Sequence, residues 1–139
     1  MICGGKMMWR EFNIQTKRQT EFIDITHFAA ETVSTSGIGE GACLVFVPHT
    51  TAGVTINENA DLDVTADIQS ALAVMVPSGP FRHGEGNSHA HIKASLIGSS
   101  VMLPVRGGRL DPGTWQGVYF CEFDGPRRRR VMMTCIADR

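Results

Sequence analysis

The run Ala42-Cys-Leu-Val-Phe-Val47 is apolar without a break and stops at Pro48. His49, Thr50 and Thr51 follow at once. The chain then alternates, with Val54 and Ile56 against Thr55 and Asn57, and passes into Glu58, Asn59 and Asp61. This order predicts a buried strand, a tight polar corner and a second short strand that feeds a helix. It sets an imidazole, hydroxyls, an amide and carboxylates on a short connection between rigid elements, a common way to build a site. The same residues also serve as plain turn residues (Thr50, Thr51) or helix caps (Asn59, Asp61).

On either side the pattern is that of one α+β domain over residues 1–139. Arg10 to Thr16 and Glu21 to Ile25 read as two strands forming a hairpin about Lys17-Arg-Gln19. Thr26 reads as the cap of a helix over His27 to Ser36, with Phe28, Ala29, Thr32 and Val33 inward, His27 exposed and Gly37 at its end. Ala42 to Val47 looks like the most buried strand. A second helix is expected from about Ala60 to Met75, with Val64, Ile68, Ala71, Leu72 and Met75 at helical spacing. A third runs from Asn87 or Ser88 to Leu96 or Ile97, with Ile92 and Leu96 as its apolar row and His91 and Ser95 sharing a face. Ser99 to Val105, Gly117 to Phe123 and Arg127 to Ala137 read as strands. Arg106-Gly-Gly-Arg109 has the glycines of a tight hairpin, and Asp124-Gly-Pro126 joins the last two strands. The total is about seven mostly antiparallel strands, a β-sandwich carrying two or three helices.

Charge and cysteine usage narrow the functions open to such a domain. With a formal net charge of -1, nothing draws the chain as a whole toward nucleic acid or an anionic membrane. No apolar run approaches the roughly 20 residues of a membrane helix, and the N-terminus lacks a signal-peptide core. The four cysteines, Cys3, Cys43, Cys121 and Cys135, are scattered. They read as free thiols in a reducing compartment, the cytoplasm.

Three polar clusters carry the chemistry. His49 to Asp61 is the first. The second is Phe81-Arg-His-Gly-Glu-Gly-Asn-Ser-His-Ala-His91, with three of the five histidines. Its imidazoles suit either a divalent metal site or general acid–base work, although no tight metal signature is present. The third is Glu122, Asp124 and Arg127 to Arg130. Glu122 shares a strand face with Val118 and Phe120, so it lies at the strand mouth or is buried and paired. Alternation puts Arg127 and Arg129 on one face and Arg128 and Arg130 on the other. The run reads as a solvated or subunit-contact surface, or as the source of one phosphate-gripping arginine. Trp115 reads as a packing or interface anchor.

Four stretches together resemble the YjbQ family (UPF0047), the secondary thiamine-phosphate synthase enzyme family. They are Val47 to Asp61, Arg82 to Ser95, Gly113-Thr-Trp-Gln116 and Cys121-Glu-Phe-Asp-Gly-Pro-Arg127. Ser100, Leu103, Val105 and Gly108 also match the spacing of the family signature ahead of Gly113. The sequence departs from the family pattern at His89 and at Asp111-Pro112. The resemblance implies a compact α+β β-sandwich, a homotrimer, and a secondary activity that joins a pyrimidine pyrophosphate to a thiazole phosphate with release of pyrophosphate. In an enzyme of this kind, His49, His83 and His91 would supply protons or hold a metal. Thr50, Thr51, Lys93 and Arg127 would bind phosphate. Glu58, Asp61, Glu122 and Asp124 would orient these groups or complete a metal shell, with Asn57 and Asn87 also catalytic and Ser95 and Asp124 also binding substrate. The competing expectation is a non-catalytic trimeric protein whose histidine pocket holds a metal or a small anion. The sequence itself expects His49, His83 and His91 to share one polar pocket with Asn87 or Glu122.

Overall fold

The computed structural model describes residues 8–138. Cys3 lies outside them. The elements in chain order are β1 (Arg10–Gln15), β2 (Glu21–Asp24), α1 (Thr26–Ser36), β3 (Gly41–Phe46), β4 (Ala52–Glu58), α2 (Leu62–Met75), α3 (Ser88–Ile97), β5 (Ser100–Arg106), β6 (Arg109–Leu110), β7 (Gln116–Glu122) and β8 (Arg128–Ala137). All strand pairs are antiparallel. One sheet has the order β1-β8-β3-β5-β6 and the other β2-β7-β4. This is the expected α+β fold, with eight strands and three helices among the described residues.

The layers follow from side-chain alternation. Cys43, Val45, Leu103, Val105, Val131 and Met133 of the larger sheet meet Val54, Val118 and Phe120 of the smaller one. Ile25, Ala29 and Val33, at the start and along the inner face of α1, complete that core. The opposite face of the smaller sheet, with Tyr119 and Cys121, packs under Leu72 of α2 and Ala90 and Ala94 of α3. The smaller sheet is therefore a middle layer, and its central strand β7 is buried on both faces from Gly117 onward.

That layering corrects several expectations. β7, not β3, is the most buried strand, because Ala42, Leu44 and Phe46 on the outer face of β3 have no layer above them among the described residues. β1 and β2 do not form a hairpin. β1 pairs with β8 and β2 with β7, so residues 16–20 carry the chain from one sheet to the other. The link through Asp124-Gly-Pro126 also crosses between sheets. Thr26 is the first helical residue rather than the cap. Its hydroxyl donates to Asp24 Oδ1 (2.5 Å) and accepts the Val118 N–H (2.9 Å). On α2 the buried positions are Thr65 and Leu72, while Ala71 and Met75 are exposed. On α3 they are Ala90, Lys93 and Ala94, while Ile92 and Leu96 face outward. On α2 packing selects the face of Leu72 and Ile68, and on α3 the small residues Ala90 and Ala94 face the sheet. Gly37 closes α1 in the left-handed conformation (φ 74°), as expected. Gly107 and Gly108, both at positive φ, make the β5–β6 turn.

Candidate functional site

Three crossings between the sheets gather at one end of the sandwich: residues 16–20, 47–51 and 123–127. Hydrogen bonds lock them together. Thr16 N–H donates to the Arg127 carbonyl (3.0 Å), Gly125 N–H to the Gln19 carbonyl (3.0 Å) and Phe123 N–H to the Thr51 carbonyl (3.2 Å). At their junction sits Glu122, fully buried. Its Oε2 accepts from Arg129 Nε and from the Thr16 hydroxyl, each at 2.8 Å. Its Oε1 accepts from Arg129 Nη2 and from the Phe123 and Asp124 N–H groups. Burial opposes ionisation of Glu122. The bonds from Arg129, the Asp124 N–H and Thr16 outweigh it and hold the carboxyl below the usual carboxylate range. Arg129 also reaches the Thr51 hydroxyl (2.7 Å), so the ion pair fixes the corner that carries His49.

His49 Nε2 accepts the backbone N–H of Arg130 (3.0 Å). The neutral ring consequently carries its proton on Nδ1 and acts there as a donor. Burial, followed by the charge of Arg129, pushes the His49 pKa down, so the ring is neutral at pH 7. A cavity of about 430 Å³ opens beside it, bordered by Thr50, Thr51, Asp124 and Arg127 on the crossing segments and by Arg129 of β8. The other wall is His83 and Glu85 from the loop before α3, with Asn87 and His91 from its start. The His83 and His91 rings meet edge to face, 5.6 Å between centroids. Asp124 Oδ2 accepts from Asn87 Nδ2 (2.9 Å) and Arg127 Nη2 (3.1 Å), tying the α3 wall to the last crossing. That bond commits the Asn87 amide to Asp124 instead of capping α3, and leaves its Oδ1 buried with no partner among the described residues. An adjoining cavity of about 480 Å³ shares His49, Thr50 and His91 and extends to Ser95.

The structure thus brings His49, Thr50, Thr51, His83, Asn87, His91, Asp124 and Arg127 to one cavity, with Ser95 at its extension and Glu122 behind Arg129. Others lie elsewhere. Lys93 is buried on α3 and borders neither cavity. Asn57 and Glu58 pair with Gly117 and Gln116 at the far end of β4, about 20 Å along the strand from Ala52. Asp61 caps α2 by accepting the Asp63 N–H (2.9 Å). His27 is exposed and lies against Phe28. Arg129 and Glu85 also border the cavity; both lie in the expected polar clusters, but the sequence pattern assigns neither a role of its own. The signal for Arg129 was Glu122 on an apolar strand face, which calls for a buried cation if it is not exposed. Among the described residues no three His, Cys, Asp or Glu side chains stand close enough to share a metal ion. Nε2 of His49 accepts a backbone N–H, so that ring offers only its Nδ1 to a ligand.

α3 can approach this closely because of Gly53. A Cβ there would lie 2.5 Å from the Gly98 carbonyl oxygen, a backbone atom at the end of the helix. Gly53→Ala is expected to cost about 1–3 kcal/mol in urea denaturation, because the helix end must shift. Unchanged stability would show that α3 is free to back away.

Comparison with known proteins extends over nearly the whole chain. The profile of the family described as UPF0047 protein YjbQ-like matches residues 10–138. The UPF0047 protein MJ1081 of Methanocaldococcus jannaschii is 45% identical over 135 residues, covering 96% of this chain and 97% of that one. The UPF0047 protein YugU of Bacillus subtilis is 48% identical over 124 residues, covering 88% and 94%. Among solved structures, a YjbQ/UPF0047 protein from Clostridium acetobutylicum superposes with a TM-score of 0.89 at 53% identity, over 91% of this chain and 99% of that one. A YbjQ-like protein from Sulfolobus solfataricus gives 0.90 at 35% identity, over 96% and 99%.

Proposed function

Because this chain belongs to the UPF0047 protein YjbQ-like family, we propose that its cavity binds a phosphorylated small molecule and supports a secondary thiamine-phosphate-synthase-like transfer. The carrying observation is the convergence of His49, Thr50, Arg127 and Arg129 on one cavity that also holds two further imidazoles. Hydroxyl, imidazole and guanidinium donors are suited to phosphate oxygens. A cavity of about 430 Å³ is of the size that takes one small ligand.

In the proposed reaction the pyrimidine methylene carbon–oxygen bond breaks and pyrophosphate leaves with the electron pair. The thiazole nitrogen donates its lone pair to the same carbon. Arg127, Arg129, Thr50 and the Nδ1–H of His49 hold the leaving pyrophosphate. His83 and His91 supply it with a proton. Asp124 and Asn87 position Arg127 and the α3 wall. A divalent cation belongs to this reading only as a companion of the pyrophosphate.

No described helix is long and apolar enough to cross a membrane. We propose a cytoplasmic location, from the scattered cysteines of the sequence. We further assign a homotrimer, in which Phe46, Met102 and Ile136, exposed on the outer face of the larger sheet, are covered by neighbouring copies.

Calorimetric titration with pyrophosphate, with and without magnesium, tests the site, and chromatographic detection of thiamine phosphate tests the transfer. Binding with turnover above background is expected, and light scattering should give three copies. Failure to bind phosphate or pyrophosphate at millimolar concentration would overturn the anion site. Binding without turnover would leave the non-catalytic alternative. A monomer would remove the assembly.

A further inference from the structure

Cys43 and Cys135 stand directly opposite each other on β3 and β8. Just beyond this ladder the Asp138 N–H donates to the Glu40 carbonyl (2.9 Å), which makes 40 and 138 a hydrogen-bonded pair in the same register. Pairs alternate along an antiparallel ladder, so 42/136 and 44/134 are of that kind, and Cys43 with Cys135 is of the other. Cα atoms of a non-hydrogen-bonded pair approach to about 4.5 Å, within the span of a disulfide. Both side chains point to the core. Cys43 is fully buried and Cys135 is half-buried against the same cluster. Cys135 is reachable from solvent while Cys43 is not, so Cys135 is the thiol through which oxidation enters; burial, and then the neighbouring Cys135, also push the Cys43 thiol up to about 12.

We propose that Cys43 and Cys135 form a latent cross-strand disulfide, a modification site in the five-stranded sheet that closes when the protein meets a peroxide. The Cys135 thiolate attacks one peroxide oxygen and the O–O bond breaks. The departing hydroxide takes up the proton Cys135 released, which leaves a sulfenic acid on Cys135. Cys43 sulfur then attacks Cys135 sulfur, the S–O bond breaks, and water leaves with the Cys43 proton. Hydrogen peroxide gains two electrons and the two thiols lose them. Cys121 is the internal control. It is buried on β7 opposite Phe22 and Gly53, and burial pushes its thiol up as well.

The test uses the full chain carrying Cys3→Ser, exposed to hydrogen peroxide, alkylated and mapped without reduction by mass spectrometry. The expected product is a Cys43–Cys135 disulfide, lighter by two hydrogens and reversed by dithiothreitol, with Cys121 still reduced. Cys121→Ser should leave it unchanged and Cys135→Ser should abolish it. Recovery of both Cys43 and Cys135 as thiols would overturn the proposal. So would over-oxidation of Cys135 beside a free Cys43, or pairing of Cys43 with any other residue. If Cys135→Ser does not fold, the map of the parent chain decides.

Discussion

Replacing Arg129 with Ala is expected to destabilise the protein by about 3–5 kcal/mol in urea denaturation. Glu122 is fully inaccessible to solvent and receives both Nε and Nη2 of that guanidinium. Removing the cation strands a carboxylate whose remaining donors are Thr16 and two backbone N–H groups. The double change Arg129→Met with Glu122→Leu should lose much less, because no buried charge is left behind. Equal losses in the single and double variants would show that the pair is not the source. The acid limb gives a second reading. The folded Glu122 pKa lies below its unfolded value of about 4.5, so the unfolded chain takes up the proton first. The contribution is complete above pH 4.5 and is lost as pH falls through the lower folded value. In Arg129→Ala that depression shrinks, and acid unfolding should begin at higher pH.

His49→Ala and His91→Ala are each expected to reduce thiamine phosphate formation by about 10²-fold and to weaken pyrophosphate binding while leaving the circular dichroism spectrum intact. Both rings border the cavity and neither belongs to the buried core. His27→Ala, on the exposed turn of α1, should change neither quantity. Full activity in His49→Ala would remove that residue from the site. The pH dependence is also fixed in sign. The folded His49 pKa lies below 6.5, so the neutral ring and its Nδ1–H persist somewhat below that pH. The unfolded chain binds the proton first, and the stability tied to this group declines as pH drops from 6.5 through the folded value.

Much of this arrangement was readable from local pattern. The strand–corner–strand around His49 and the Gly107-Gly108 turn depend on near neighbours, and their residues declare them. The pairing of strands does not. Arg10 to Thr16 and Glu21 to Ile25 look like a hairpin because a short polar link joins them. Only tertiary bonds such as Gly125 to Gln19 make that link a passage between sheets. The burial of β7 was hidden for a similar reason. A strand covered on both faces reads as one apolar run, and that run resembles β3, which is covered on one. In the site, the histidines were legible as a dense cluster, whereas Arg129 was masked by three arginine neighbours that point to solvent or surface partners. Asn57 and Glu58 looked close to His49 because they are close in sequence, but an extended strand turns short separations into long distances.

The gathering of three crossings at one end has a consequence for motion. Thr51, Phe123 and Thr16 belong to links that each join both sheets, so no bond among them is released by fraying a single element. Local opening of these crossings therefore requires the sheets to part, and its free energy approaches that of global unfolding. In amide hydrogen exchange, Phe123 would behave like a core strand despite lying in a connection. A ligand seated there would slow exchange across the whole molecule rather than quieten one loop.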